Sequence, residues 1–236
     1  MRIACSTAFL KNDLVAATNK VHDMGFHYID LIAIEPWGLI LPKQLAADFD
    51  QEADRIEALL ESNNLTPIAM KVAVANPANR TNTDDNRQRT LEAHAICRLM
   101  ARLSIERAGL FPGVPQGRPA DEVYRDSVES FREILGIAGE HGVQLGPEFH
   151  KHTPFETIAP CEALLEEIPE LTIVYDPSHF VMQGIPVEST LPFLERAHHV
   201  HARGSAKGNM QIAVADSELS PEWFIQTLRA HNYSGD

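Results

Sequence analysis

Val143-Gln144-Leu145-Gly146-Pro147-Glu148, Leu171-Thr172-Ile173-Val174-Tyr175-Asp176 and His198-His199-Val200-His201-Ala202-Arg203 are three short, largely apolar runs, each ending in polar side chains. Amphipathic stretches of helix type separate them: Ala159 to Glu167, and a segment containing Pro192 to Arg196. Short apolar runs alternating with helical ones argue for β-α-β units and a parallel sheet. The steps from residue 148 to 176 and from 176 to 201 each fit a strand, a helix and their loops. Glu148, Asp176 and His201 then fall at the C-terminal ends of neighbouring strands, on the rim where a barrel places its chemistry.

The same rhythm extends in both directions. Toward the N-terminus the strands are read at Arg2–Thr7, Tyr28–Ile32, Thr66–Val72 and Ser104–Phe111. A first helix runs from Leu14 to Met24, opened by Asn12-Asp13 and stopped by Gly25. Further helices cover 49–62, Asn82 to about Arg102, and Pro119 to His141, with Pro119 suited to a first turn. Pro221 to Ala230 forms the last helix, capped by Ser220. No linker rich in Gly, Ser or Pro divides the chain. The reading is one α/β domain over residues 1–236, a (β/α)8-type TIM barrel, a fold that commonly takes ~250 residues. Seven strands are found, and the eighth is missing: Asn232-Tyr233-Ser234-Gly235-Asp236 stands where it is expected to begin. A shortened sequence, an open barrel and another segment in the gap are all consistent with this. An open barrel exposes unpaired strand edges, so association into a homo-oligomer is an expectation.

Composition narrows the function. A hydrophobic content of 44% supports a sizeable core without disulfides. Cys5, Cys97 and Cys161 are far apart and form no C-x-x-C pair, which argues against a thiolate zinc site. A formal charge of −13 without a basic run disfavours nucleic acid and anionic lipid as partners. No stretch approaches the ~20 apolar residues of a membrane span, and the start of the chain lacks a secretory signal, so a cytoplasmic location is expected. Dinucleotide, phosphate-loop and nucleophile-elbow motifs are absent.

Two carboxylates and an imidazole converging on one rim suit one divalent metal ion, with Mn, Co, Mg and Zn all compatible. The plain alternatives are a surface or capping role for Glu148 and a turn cap for Asp176 before Pro177, while a lone His201 reads as a structural histidine; the joint placement carries the metal reading. His179, three residues after Asp176, suits a substrate hydroxyl. Arg203 shares a face with His201, and His150 with Glu148, because residues i and i+2 of a strand point the same way. Lys207, in a flexible Gly-Ser-Ala-Lys-Gly loop, is a candidate for an anionic or hydroxyl group, and Trp37 a candidate wall of a sugar pocket. Solvent exposure for Lys207 and core packing for Trp37 are the plain alternatives. His198 and His199 are read as packing or surface residues.

With these residues the chain resembles the xylose-isomerase-like TIM barrels, the sugar phosphate isomerases and epimerases. Gly146-Pro147-Glu148-Phe149-His150, Val174-Tyr175-Asp176-Pro177-Ser178-His179 and His199-Val200-His201-Ala202-Arg203 carry the resemblance, together with Asn232-Tyr233-Ser234-Gly235 ahead of strand eight. It implies a metal held by Glu148, Asp176 and His201, with a fourth glutamate on strand eight that has no counterpart here. It implies Glu148 as an acid/base group, His179 on substrate and proton transfer next to a metal-polarised carbonyl of a small carbohydrate. The catalytic candidates are thus Glu148, His179 and Arg203; the substrate-binding candidates are His150, His179, Lys207 and Trp37. The resemblance extends to metal-dependent endonucleases, but the extra histidines of that branch are missing from strands three and four. An isomerase or epimerase of a ketose or polyol is the leading reading. A lyase that dehydrates a keto-cyclitol or keto-acid is the alternative, and a non-catalytic sugar-binding or partner-supporting barrel the third.

Overall fold

The computed structural model describes residues 1–235. Strands β1 (Ala4–Ser6), β2 (Tyr28–Ala33), β3 (Thr66–Val72), β4 (Arg107–Leu110) and β5 (Gln144–Pro147) form one parallel sheet in chain order. Strands β6 (Ile173–Tyr175) and β7 (Ala197–Val200) form a second parallel pair. Among the described residues one isolated backbone bridge, Glu148 with Val174, joins the two sheets. The helices between the strands are α1 (Leu14–Asp23), α2 (Pro42–Ala47), α3 (Phe49–Ser62), α4 (Thr83–Arg102), α5 (Ala120–Glu140), α6 (Ile158–Glu167), α7 (Ser178–Val181) and α8 (Pro221–Ala230). The alternation read from the sequence is thus the observed one, and β3 has the predicted bounds.

Local chemistry explains the helix starts. The Asn82 side chain accepts from the Asp84 and Asp85 backbone N–H groups, and both acids sit in the first turn of α4, where the helix dipole favours them. Asp13 caps α1 and Ser220 caps α8 in the same way. Ile29, Leu31, Met70, Ile96, Leu99 and Phe131 belong to one continuous buried core. Arg89 lies in this region with no exposed surface and donates to the Asn76 and Asn79 carbonyls, which ties the loop after β3 to α4.

Several expectations are corrected. Strand β7 ends at Val200, so His201 and Arg203 lie just beyond it and not within the strand. The helix predicted around Pro192 is a run of 3-10 turns over Val187–Arg196, because a proline inside it cannot donate to an α-helical ladder. The loop around Lys207 is a small antiparallel hairpin, β8 (Ser205–Ala206) with β9 (Asn209–Met210), turned by Gly208 at φ +83°. Helices α2 and α7, four to six residues long, are too short to show a period and were not predicted. Among the described residues no strand fills the interval between β7 and β1, and no helix is long and apolar enough to cross a membrane.

Candidate metal centre

Strands β5, β6 and β7 each hand one polar residue to the same point. Glu148 follows β5, its N–H bound to the Leu110 carbonyl at 2.9 Å. Asp176 follows β6, and its Oδ1 accepts from Ser178 N at 3.0 Å and Ser178 Oγ at 2.5 Å. His201 follows β7, its N–H on the Tyr175 carbonyl at 3.0 Å. The Glu148 side chain has no exposed surface, and neither has that of Asp176. His201 Nδ1 stands 2.9 Å from Glu148 Oε2 and 3.9 Å from Asp176 Oδ2. One ligand atom from each of the three lies within 4.8 Å of the other two.

Glu148 is the centre of a wider network. Its Oε1 accepts from Lys71 Nζ at 2.9 Å and lies 3.0 Å from His179 Nε2 and 3.4 Å from the Arg203 guanidinium. Its Oε2, by contrast, has no hydrogen-bond partner: His201 approaches it closely but off the line of a hydrogen bond. A buried, unpartnered carboxylate oxygen beside an imidazole nitrogen and a second carboxylate fits a divalent cation, so the donor set is chemically suited to the metal inferred from the sequence. Arg203 donates from Nε to Ser178 Oγ at 2.8 Å and from NH2 to Asp176 Oδ2. Arg203 NH2 also meets His179 Nε2 at 2.6 Å. Arginine only donates, so that bond needs an unprotonated Nε2, whereas a bond to Glu148 needs a protonated one. The two are mutually exclusive, and a proton on His179 selects between them.

The charges respond to this crowding. Burial pushes the Glu148 carboxyl upward, but Lys71 and His201 outweigh it and hold it well below the ordinary range. Asp176 is raised by burial and drawn below its usual value by Arg203 and His179. Burial lowers His201, but the Glu148 charge and contacts with Asp30 and Glu148 prevail and raise it to about 10. His150, whose ring lies 3.7 Å from that of His179 at a tilt of 43°, is driven down to about 3 by burial and by the neighbouring His179 and Lys71.

The sequence-derived candidates therefore divide. Glu148, Asp176, His179, His201 and Arg203 meet at one point, with His150 against it. Lys207 is exposed; its stem lies near Gly184 and its N–H bonds Glu218. Trp37 faces Lys11, whose ammonium lies 5.3 Å from the ring. Of the candidates, His201 and Arg203 line the cavity of about 560 Å³ that opens beside the cluster, whereas Glu148, Asp176, His150, His179, Lys207 and Trp37 do not. That cavity is bounded by Asp30, Lys71, His199, His201 and Arg203, and runs out between β1 and α8. Lys71 and Asp30 were missed by the sequence reading. The signal was there: each is a charged residue inside an otherwise apolar strand, where burial requires a partner.

Comparison with known proteins agrees with this fold. No curated protein matches the chain by sequence. Among solved structures, 3-keto-D-glucoside 4-epimerase from E. coli shares 15% identity at a TM-score of 0.70, covering 100% of this chain and 89% of the other. D-psicose 3-epimerase from Clostridium cellulolyticum H10, solved with D-tagatose, shares 14% at 0.72, covering 100% and 83%. A xylose isomerase-like TIM barrel protein from Mycobacterium smegmatis, solved in complex with magnesium, shares 14% at 0.77, covering 99% and 88%. At such identities these likenesses show the fold alone. The family profile goes further: it matches residues 19–235, and the chain belongs to the xylose isomerase-like TIM barrel family.

Proposed function

We propose that the protein binds one divalent metal through Glu148, Asp176 and His201 and isomerises or epimerises a small ketose or related polyol. The observation that carries this reading is the fully buried Glu148 Oε2, which receives no hydrogen bond, lies 2.9 Å from His201 Nδ1 and belongs to a cluster with Asp176 whose ligand atoms all lie within 4.8 Å of one another. Two of the similar structures are sugar epimerases and a third holds magnesium, which supports the same class.

When bound, the metal polarises the substrate carbonyl and lowers the acidity barrier at the adjacent carbon. The chain supplies the rest. Glu148, kept ionised by Lys71 beside it, accepts the proton from that carbon and delivers it to the neighbouring carbon in an isomerisation; an epimerisation takes its return proton from a second acid on the opposite face. Arg203 and His179 bind substrate oxygens, and the switch of His179 between its two partners lets it give or take a hydroxyl proton. Ser178 fixes Arg203 and Asp176 at once, by donating to the carboxylate and accepting from the guanidinium.

The test is metal content of the purified protein beside Glu148→Ala and Asp176→Ala, followed by incubation with ketoses in D2O. One metal per chain lost in both variants, with deuterium appearing next to the carbonyl, supports the reading. A folded protein that takes up no Mn, Co, Zn or Mg rejects it in favour of a non-catalytic barrel. The second reading, a lyase acting on a keto-acid, is favoured by two cations, Lys71 and Arg203, at the same cavity. Loss of one water from the substrate distinguishes it from isomerisation, which conserves mass.

A further inference from the structure

Asp30 is a buried carboxylate that the proposed mechanism does not use. It lies in the middle of β2, with its side chain 4% exposed. Its backbone carbonyl accepts from Thr7 Oγ1 at 3.0 Å, which anchors this part of β2 to the end of β1. Its Oδ2 faces His201 Nε2 at 3.5 Å, and its Oδ1 has no hydrogen-bond partner. Burying a carboxylate this poorly satisfied costs several kcal/mol unless something nearby requires its charge.

The ring opposite it has such a requirement. His201 is stretched between two carboxylates, with Nδ1 toward Glu148 and Nε2 toward Asp30. It follows the end of β7, so the sheet fixes its Cα and leaves the ring's rotation to side-chain contacts. A histidine that ligates through Nδ1 must carry its proton on Nε2, and it holds that tautomer only if an acceptor waits there. Asp30 Oδ2 is the acceptor in place.

We propose that Asp30 is a positioning residue: it accepts from His201 Nε2–H and thereby holds the imidazole with Nδ1 turned toward the metal position shared with Glu148 and Asp176. This rests on the metal reading of those three residues. The ligand atoms of Asp30, His199 and His201 also lie within 4.8 Å of one another, so direct ligation of a second ion by Asp30 is the rival arrangement.

The experiment is calorimetric titration with Mn²⁺ and with Zn²⁺ of the wild type, Asp30→Asn, Asp30→Ala and Glu148→Ala. Alongside it, long-range ¹H–¹⁵N spectra of the histidine side chains in the Zn²⁺-loaded proteins report which ring nitrogen of His201 bears the proton. The expected result is one ion per chain in the wild type. Affinity falls roughly 10- to 100-fold in Asp30→Ala and by less in Asp30→Asn, whose amide oxygen still accepts, the range set by such orienting partners. The His201 Nε2–H signature is kept in Asp30→Asn and lost in Asp30→Ala. Should Asp30→Ala fail to fold, Asp30→Asn decides alone, through weakened binding with the tautomer retained. Unchanged affinity and tautomer in a folded Asp30 variant overturn the proposal while Glu148→Ala still abolishes binding. Two ions in the wild type falling to one in Asp30→Asn overturn it in favour of direct ligation. No ion bound by the wild type removes the metal reading itself, and the proposal with it.

Discussion

Lys71 on β3 donates to Glu148 Oε1 at 2.9 Å, joining two residues 77 positions apart across the mouth of the barrel. The carboxylate has no exposed surface and the ammonium side chain only 14%. Removing one member of a buried pair leaves the other charge uncompensated, at about 3–5 kcal/mol. Lys71→Met is expected at the lower end, about 3 kcal/mol at pH 7, because Arg203 and His201 remain near Glu148. The pH dependence follows from the lowered folded-state pKa of Glu148. Its ionised form contributes stability above the ordinary carboxylate value of ~4.3, and that contribution is lost as pH falls through the lower folded value. Lys71→Met raises the folded value, so the wild-type advantage narrows as the solution becomes acidic. Urea unfolding at pH 7 and in mild acid measures the gap; an equal gap at both rejects the pairing.

Metal uptake is expected to release a proton. His201, raised to about 10, is an imidazolium at neutral pH, and only a neutral imidazole ligates. Between pH 7 and 9 the affinity for Mn²⁺ should rise roughly tenfold per unit, with about one proton expelled per ion. Calorimetry in buffers of different ionisation enthalpy counts that proton, and heats that do not depend on the buffer would remove His201 from the ligand set.

His150 is expected to stay neutral throughout ordinary conditions, since burial, His179 and Lys71 drive it down to about 3. Its carbon-bound ring protons should show no NMR titration between pH 5 and 8. A midpoint inside that interval would mean that the tilted pair with His179 opens to solvent.

The joint between the two sheets tolerates little. At Gly146 a Cβ would run into the Thr172 carbonyl and come 2.7 Å from the His198 ring. Gly146→Ala is therefore expected to wedge β5 from β6 and to cost about 2 kcal/mol, in the range of overpacked cores. A chain of this size loses roughly 2–4 °C of Tm per kcal/mol, and metal binding at the proposed site, which begins two residues further on, should weaken in parallel. A variant as stable as the wild type would contradict the close approach.

Most of the architecture was legible because its signals are local. Thr66–Val72 is a run of apolar residues bounded by Asn63-Asn64 and a turn, and it became β3 without adjustment. Glu148, Asp176 and His201 were legible because barrel topology converts a repeated spacing into a shared rim. What escaped were properties that exist only across the barrel. Lys71 and Asp30 gain their roles from partners 77 and 171 positions distant, and nothing adjacent to them in the chain indicates either partner. Lys207 and Trp37 lie apart from the cluster around Glu148 for the converse reason: loop position was legible, but the direction in which each loop folds was not. Pro42–Ala47 and Ser178–Val181 are helices held by their surroundings, below the length at which periodicity speaks.

The bridge between Glu148 and Val174 carries a mechanical consequence. The wall of the barrel consists of two plates, β1 to β5 and β6 with β7, joined among the described residues by one backbone bridge and by side-chain bonds such as Arg107 to the His198 carbonyl. Glu148 rides on the first plate, while Asp176 and His201 ride on the second. A cation gripped by all three is therefore a rivet through the lap of the plates, and sliding one past the other stretches its bonds. Ligand affinity and the shear stiffness of the wall become the same quantity measured from two ends. Amides flanking the lap, at Glu148 and His201, should then exchange with solvent more slowly as the ion binds, by the factor that the ion's affinity dictates.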